Sequence, residues 1–272
     1  LPFVSVLGSL FTPRLLFILF PQKLLLLLGS IIFVIAMVAW LELRLQPRWQ
    51  ALLFIGGAAV LFLLPSAWTD LAISPYKGLS QQIRINCSRV TEGKTSPLAL
   101  LTVVESNLVP FRYAPGLSLA AESEPPAQVG IFTDGDSMNV ITRFQDDISR
   151  LTYLDKLTSA LPYHLSQAKD ILILGAGTGS DILQALYFKS ASITAAELNL
   201  QVVQLLRSRP AFSGNLYDQE NVRVHIGEAR SFVSGSRKNF DLILLPMLDS
   251  FSSAGAGLYS LHENYLYTVE AL

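Results

Sequence analysis

Cysteine is almost absent from this chain: Cys87 is the single one in 272 residues. An intramolecular disulfide and a CxxC metal motif are therefore excluded. Histidine is scarce too, and His164, His225 and His262 are too scattered to show metal-ligand spacing. Charge is thin, at 15% of residues, where a typical soluble domain carries about 25%. The formal net charge of -1 lacks the basic surplus that marks a nucleic-acid binder. What the chain does have is apolar residues, 51% of the total, with a mean hydropathy of +0.42. Intrinsic disorder is excluded on that ground, and an ordinary, fully soluble protein is not expected. Residue 1 is leucine and the last residues, from Tyr267 to Leu272, read as an unfinished helix. A fragment of a longer reading frame is expected.

The apolar surplus sits at the front. Residues 24–41 and 51–68 are two runs of 18 without a charge, each just long enough to span hydrocarbon as a helix. Between them, Arg44, Arg48 and Trp49 have the character of a membrane interface. Residues 1–20 are apolar apart from Pro13 and Arg14, and read as a partial helix followed by an interfacial stretch. Arg14 and Lys23 on one side and Arg44 and Arg48 on the other leave the positive-inside rule tied.

Polarity rises at about Thr69. Short strands are predicted over residues 82–86, 99–105 and 128–133, with a hairpin signal at Asp134-Gly135. From about Asp147 the pattern alternates. A helix is predicted over 152–165, from Leu154, Leu157, Leu161 and Leu165. A wholly apolar strand follows at 171–174, then a helix at 181–188, a strand at 192–196, a helix at 200–207, and strands at 222–226 and 241–245. This is the βαβ alternation of a doubly wound sheet. Three regions are expected: 1–70 as transmembrane helices, 71–146 as a small β-rich domain, and 147–272 as a Rossmann-like nucleoside-binding domain, cut short at its C-terminal end.

One constellation carries chemistry. Gly175, Ala176, Gly177, Thr178 and Gly179 follow the first apolar strand and open a helix. Small residues let the chain turn tightly and let a ligand reach the backbone and the free N–H groups of the helix start. Glu197 ends the next strand, 22 residues after Gly175, where such folds hold a carboxylate against ribose hydroxyls. Gly227, Glu228 and Ala229 follow the third strand, at the edge where an adenine ring would lie. Glu228 also fits a helix N-terminal acid, and Asp181, in the first helical turn, reads as an acid favoured by the helix dipole.

These segments resemble a family. GAGTG, AAELN, IGEARSF, FDLILLPMLDS and LYSLHENYLYTVEAL occur in the order and spacing of the spermidine synthase, or polyamine aminopropyltransferase, family. Ser74-Pro75-Tyr76 is similar to its SxYQ segment, and YLDKLTSALPYHL to the helix before its glycine loop. The likeness runs from about Ser74 to Leu272, and is strongest to membrane-attached, spermidine-synthase-like bacterial proteins. It implies a class I methyltransferase-type Rossmann fold behind a small β-domain. It also implies a transferase of polyamine biosynthesis that binds decarboxylated S-adenosylmethionine, or S-adenosylmethionine itself, and no metal. Tyr76 and Tyr265 would stand on the substrate side.

The departures bear on chemistry. Thr178 stands where the family has the aspartate that binds the amino group, Lys77 where it has glutamine, and Pro246 where it has the catalytic aspartate. Proline is no base and has no N–H. Asp249, three residues on, is the nearest acid and the candidate catalytic residue. Asp249, Ser250, His262, Glu263, Tyr265 and Tyr267 are as readily helix caps and packing as a new site. The expected partners are the lipid bilayer, a nucleoside and an amine or apolar acceptor, and a second copy of the chain, with no nucleic acid. The expected location is the cytoplasmic (inner) membrane, multi-pass, with the soluble domain on the cytoplasmic side, where the nucleoside is. The competing reading is a non-catalytic nucleoside-sensing domain of a membrane or transport protein.

Overall fold

A computed structural model describes residues 13–42, 50–85, 87–145 and 147–246. Asp249, Tyr265 and the loop carrying Arg44, Arg48 and Trp49 lie outside the described residues. The chain divides into two compact units, Leu1–Ser74 with Lys94–Pro97, and Pro75–Gly93 with Leu98–Leu272.

The first unit is built on two apolar helices, α1 (Pro21–Glu42) and α2 (Gln50–Phe62). They pack through small residues under aromatic ones. A Cβ on Gly57 would fall 2.7 Å from the Phe33 ring, and Phe54 lies 6.5 Å from Phe33 and 6.0 Å from Trp40, centroid to centroid. The Ser30 hydroxyl lies 2.8 Å from the Leu26 carbonyl and 3.1 Å from that of Ala58. The outward faces are apolar and exposed, Leu25, Ile32, Ile35, Leu53 and Val60 among them.

Only the first of the two expected spans has the required length. Within α1, Pro21–Trp40 is long and apolar enough to cross a membrane. The second helix has 13 residues, about 20 Å at 1.5 Å per residue, short of the ~30 Å hydrocarbon core. Pro65 is the cause. It disfavours helical geometry at the preceding Leu64, and the chain breaks at residues 64–65 before a single helical turn at Ser66–Thr69. Of the two spans expected, one helix of spanning length is found among the described residues.

The second unit holds two sheets. The first has the order β1-β2-β3-β4, with β1 at Ser88–Thr95, β2 at Leu100–Ser106, β3 at Gln128–Thr133 and β4 at Ser137–Thr142. The expected hairpin closes it: Thr133 pairs with Ser137 around Asp134 and Gly135, both at positive φ. Residues 82–85, within the stretch 82–86 read as a strand, are not one. Gly78–Ile83 forms a helix, α3. Leu79 is fully buried and its amide bonds to the Gly135 carbonyl at 3.0 Å, so tertiary anchoring overrides the local alternation.

The second sheet is parallel, in the order β7-β6-β5-β8: β5 Asp170–Leu174, β6 Ser192–Glu197, β7 Val222–Ile226 and β8 Leu242–Leu244. Its helices are α4 (Leu161–Leu165), α5 (Ser180–Tyr187), α6 (Leu200–Arg207) and α7 (Ala229–Gly235). The expected α/β class is what the chain adopts. Both faces of β5 are covered. Ile171 and Ile173 belong to the main core, and Leu172 and Leu174 pack on the side of Phe232, Val233 and Phe240, which is why the strand reads as unbroken ILIL. The main core also takes in Leu101, Val103 and Val129 of the first sheet. The helix expected at 152–165 is instead 3-10 turns at Thr152–Lys156 and Thr158–Ala160 before α4. Leu157 is extended and bridges to Leu117, with Thr158 donating to the Gly116 carbonyl and Ser118 to that of Lys156, each at 2.9 Å.

Candidate functional site

In the parallel sheet the chain steps outward from β5 to β6 to β7, then returns to the other side of β5 as β8. Ligands of open α/β sheets bind at the carboxyl end of such a switch point. The glycine loop leaves β5 at that end, and Pro246 follows β8 there, half-buried.

The loop is tied to its neighbours by its backbone. The Gly175 and Ala176 amides both donate to the Ala196 carbonyl of β6, at 2.8 and 3.0 Å. Ala176 and Thr178 point inward and are buried. Gly179 has a φ of +89 and a Cβ there would meet Leu216 at 2.5 Å, so no other residue fits without movement. Gly177, at a φ of +53, differs: a Cβ there would meet nothing within 4 Å. Among the described residues that side of the loop is open.

Glu197, at the end of β6, is 8% exposed. One carboxylate oxygen accepts the Gly177 amide at 2.8 Å and the other accepts the Asn199 amide at 2.7 Å. Burial pushes its carboxyl up from the usual range, against the amides of Asn199, Gly177 and Leu198, which favour the charged form. The Tyr217 hydroxyl donates to the Gly177 carbonyl. Burial first, then the charges of Glu197 and Asp181, hold this phenol well above its ordinary value. The Gly177 peptide is thus gripped at both ends, with N–H on Glu197 and C=O on Tyr217.

Asp181 is half-buried in the first turn of α5. Burial pushes its carboxyl up to about 6, offset in part by its own backbone N–H. Its sequence reading as a dipole-favoured acid of the first helical turn carries no sign of this burial. Tyr217 carried no sequence signal at all, because it lies in the irregular segment between α6 and β7 and only the strand order brings it to the loop.

The third strand end is of another kind. Gly227 donates to the Glu197 carbonyl at 2.9 Å. Glu228 is exposed and caps α7, accepting the amides of Arg230 at 2.8 Å and Ser231 at 2.6 Å. Its slight burial raises its carboxyl, but those hydrogen bonds together outweigh this and hold it below the usual range. Ala229 opens the helix that Glu228 caps. Beside it lies an open groove of about 410 Å³, lined by His225, Gly227, Glu228, Ser231 and Phe232. Tyr76, 87% exposed, stands before α3, and its carbonyl accepts the Gln81 side-chain amide at 3.1 Å. Among the described residues no group of three or more His, Cys, Asp or Glu side chains could hold a metal ion.

With this geometry in place, comparison with known proteins gives a consistent likeness. No protein-family model matches the chain. In sequence it resembles polyamine aminopropyltransferases. It is 28% identical over 93 residues to that of Lachnoclostridium phytofermentans, covering 34% of this chain and 32% of the relative. It is 22% identical over 138 residues to that of Sulfolobus acidocaldarius, covering 50% and 46%. The chain spans less than half the length of the curated relatives it matches. Among solved structures it is similar to a spermidine synthase in complex with the transition-state analogue AdoDATO, with 20% identity, a TM-score of 0.40, and coverage of 60% of this chain and 48% of that one. It is also similar to the spermidine synthase of Thermotoga maritima, with 19% identity, a TM-score of 0.41, and coverage of 58% and 47%.

Each oxygen of an ionised carboxylate has about two lone-pair sites. Of those sites on Glu197, three are met by the Gly177, Asn199 and Leu198 amides, leaving about one for a ribose hydroxyl. The open face of Gly177 lets a ligand reach the loop. The residues present fit a nucleoside.

Proposed function

We propose that the second unit binds an adenosine-type nucleoside, S-adenosylmethionine or its decarboxylated form, along Gly175, Ala176, Gly177, Thr178 and Gly179. Glu197 takes the ribose, and Gly227, Glu228 and Ala229 border the adenine. The observation that carries this reading is the Gly177 peptide, held between Glu197 and Tyr217 with its other side open. The likeness to polyamine aminopropyltransferases supports a transferase of that type. α1 anchors it in a membrane, with the nucleoside site on the cytoplasmic side. A reporter fused after Ser74 is expected to behave as cytoplasmic; its export would contradict that orientation.

The acceptor is not putrescine. A primary amine has a pKa of about 10.4 and must shed a proton before it attacks, which calls for a carboxylate within reach. Pro246 and Thr178 supply none, so Asp249 is the remaining candidate for base, with Tyr76 and Tyr265 beside the acceptor. The test is the full chain assayed with putrescine and decarboxylated S-adenosylmethionine, beside Asp249→Asn and Pro246→Asp. Little or no spermidine is expected from the unmodified chain, and its gain in Pro246→Asp would support the lost-base argument. Brisk spermidine formation by the unmodified chain would contradict it. Pro246 also favours a second reading, a nucleoside sensor without catalysis, in which the ligand binds and no acceptor is consumed.

A further inference from the structure

Gly177 has little to hold it in place. It sits at a φ of +53, and a Cβ there would meet nothing within 4 Å among the described residues. Glycine ranges over both signs of φ at little cost, and no packing around Gly177 narrows that range. Two hydrogen bonds fix the residue instead: its N–H on the Glu197 carboxylate at 2.8 Å, and its C=O on the Tyr217 hydroxyl at 2.5 Å. Without the second, the C=O is free to swing, and nothing keeps the N–H aimed at Glu197.

Tyr217 is itself placed by a brace. Residues 207–218 run from the end of α6 to the 3-10 turn Leu216–Asp218, between the first sheet and the glycine loop. On the sheet side, Arg209 pairs with Glu92 of β1 at 2.7 Å. The Phe144 amide, two residues past β4, donates to the Phe212 carbonyl at 2.9 Å. Gly214, at a φ of +61, lies so close to Phe144 that a Cβ there would meet its ring at 2.6 Å and its carbonyl oxygen at 2.8 Å. On the loop side, Leu216 leaves no room for a Cβ on Gly179, and Tyr217 holds Gly177. Arg207 and Asp218 tie the brace to itself at 3.0 Å. Leu216 and Tyr217 are each 2% exposed. A phenylalanine would fill the space of the Tyr217 ring; what the hydroxyl adds is the tie to Gly177.

Resting on the nucleoside reading, we propose that Tyr217 is the positioning residue of that site: its hydroxyl holds Gly177 so that the N–H stays on Glu197, and the brace makes this hold depend on the first sheet. Ordering the loop before the ligand arrives lowers the cost of binding. Nucleoside affinity is thereby set by residues that touch no ligand.

The test is calorimetric titration of the full chain in detergent with S-adenosylmethionine, below the thermal midpoint of every variant. Tyr217→Phe keeps the ring and removes one hydrogen bond, so affinity is expected to fall about fivefold. In a chain already carrying Glu197→Ala, the same change is expected to cost less than about twofold, because the two residues act through one peptide. A merely structural phenol would lower the thermal midpoint in both backgrounds and leave affinity alone. The Gly177 amide proton, followed by NMR on glycine-labelled chain, is expected to move upfield in Tyr217→Phe as it leaves the carboxylate. Gly214→Ala strains the brace against Phe144 and is expected to lower affinity about threefold; it decides the matter alone where Tyr217→Phe does not fold. Parental affinity in either variant, or the full loss repeated in the Glu197→Ala background, overturns the proposal and leaves the nucleoside site standing. Failure of the unmodified chain to bind overturns the nucleoside reading, and this proposal with it.

Discussion

Glu197 and Glu228 both follow a parallel strand at the same end of one sheet, yet they do different work. Glu197 is buried, and it joins the end of β6 to the glycine loop through the Gly177 amide. Glu228 is exposed and spends its oxygens on the first turn of its own helix. The difference comes from strand order. β6 lies next to β5, so its end faces the loop; β7 lies at the sheet edge, one strand further out. A carboxylate at a strand end is therefore not a ligand contact by position alone. Its neighbour in the sheet decides whether it meets the backbone of an adjacent loop or water.

The comparison can be broken in four ways. Glu197→Ala is expected to have the largest effect. A charge-assisted hydrogen bond contributes about 1.5–3 kcal/mol, so nucleoside affinity should fall roughly tenfold to a hundredfold by calorimetry, and stability should fall as well because the amides it holds lose their acceptor. Asp181→Asn comes next, with the opposite sign on stability. The native carboxyl titrates at about 6 against a reference of 3.8, so the native state holds its proton more tightly than the unfolded chain. This group's contribution is complete below about pH 4 and is lost as pH rises through 6. The facing phenols, Tyr163 and Tyr217, stay neutral across that window. Asp181→Asn should therefore be more stable than the parent at pH 7.5 by up to about 2–3 kcal/mol, at 1.36 kcal/mol per pKa unit. The gain should shrink toward pH 4.5 in urea titrations.

Gly179→Ala should cost about 2 kcal/mol, since a side chain at positive φ is strained and its Cβ would strike Leu216. The denaturation midpoint reads this directly. Glu228→Ala should have the smallest effect: about 1 kcal/mol from a lost helix cap, with nucleoside affinity within threefold of the parent. A larger loss of affinity there than in Glu197→Ala would reverse the comparison.

How much of this was legible in the sequence follows the same physics. β5 reads correctly because a strand covered on both faces is wholly apolar, and β3, β7 and α6 carry their expected bounds. The meeting of the loop with Glu197 is legible because their spacing reflects one βαβ unit. Leu154, Leu157, Leu161 and Leu165 mislead, since their helical spacing conceals an extended Leu157 paired with Leu117. Residues 82–86 mislead because buried Leu79 anchors a helix there. The second apolar run misleads because composition carries it past Pro65 while the backbone stops short. Tyr217 was invisible, as its role depends on a contact 40 residues away in sequence.

The central claim is that a nucleoside binds where Glu197 and Tyr217 grip the Gly177 peptide. Its most direct measurement is calorimetric titration of the full chain with decarboxylated S-adenosylmethionine, run beside Glu197→Ala and Glu228→Ala. The account predicts saturable binding by the parent, a tenfold to hundredfold loss in Glu197→Ala by the hydrogen-bond magnitude above, and near-parental binding in Glu228→Ala. Binding that is absent in the parent, or unchanged in Glu197→Ala, would contradict it.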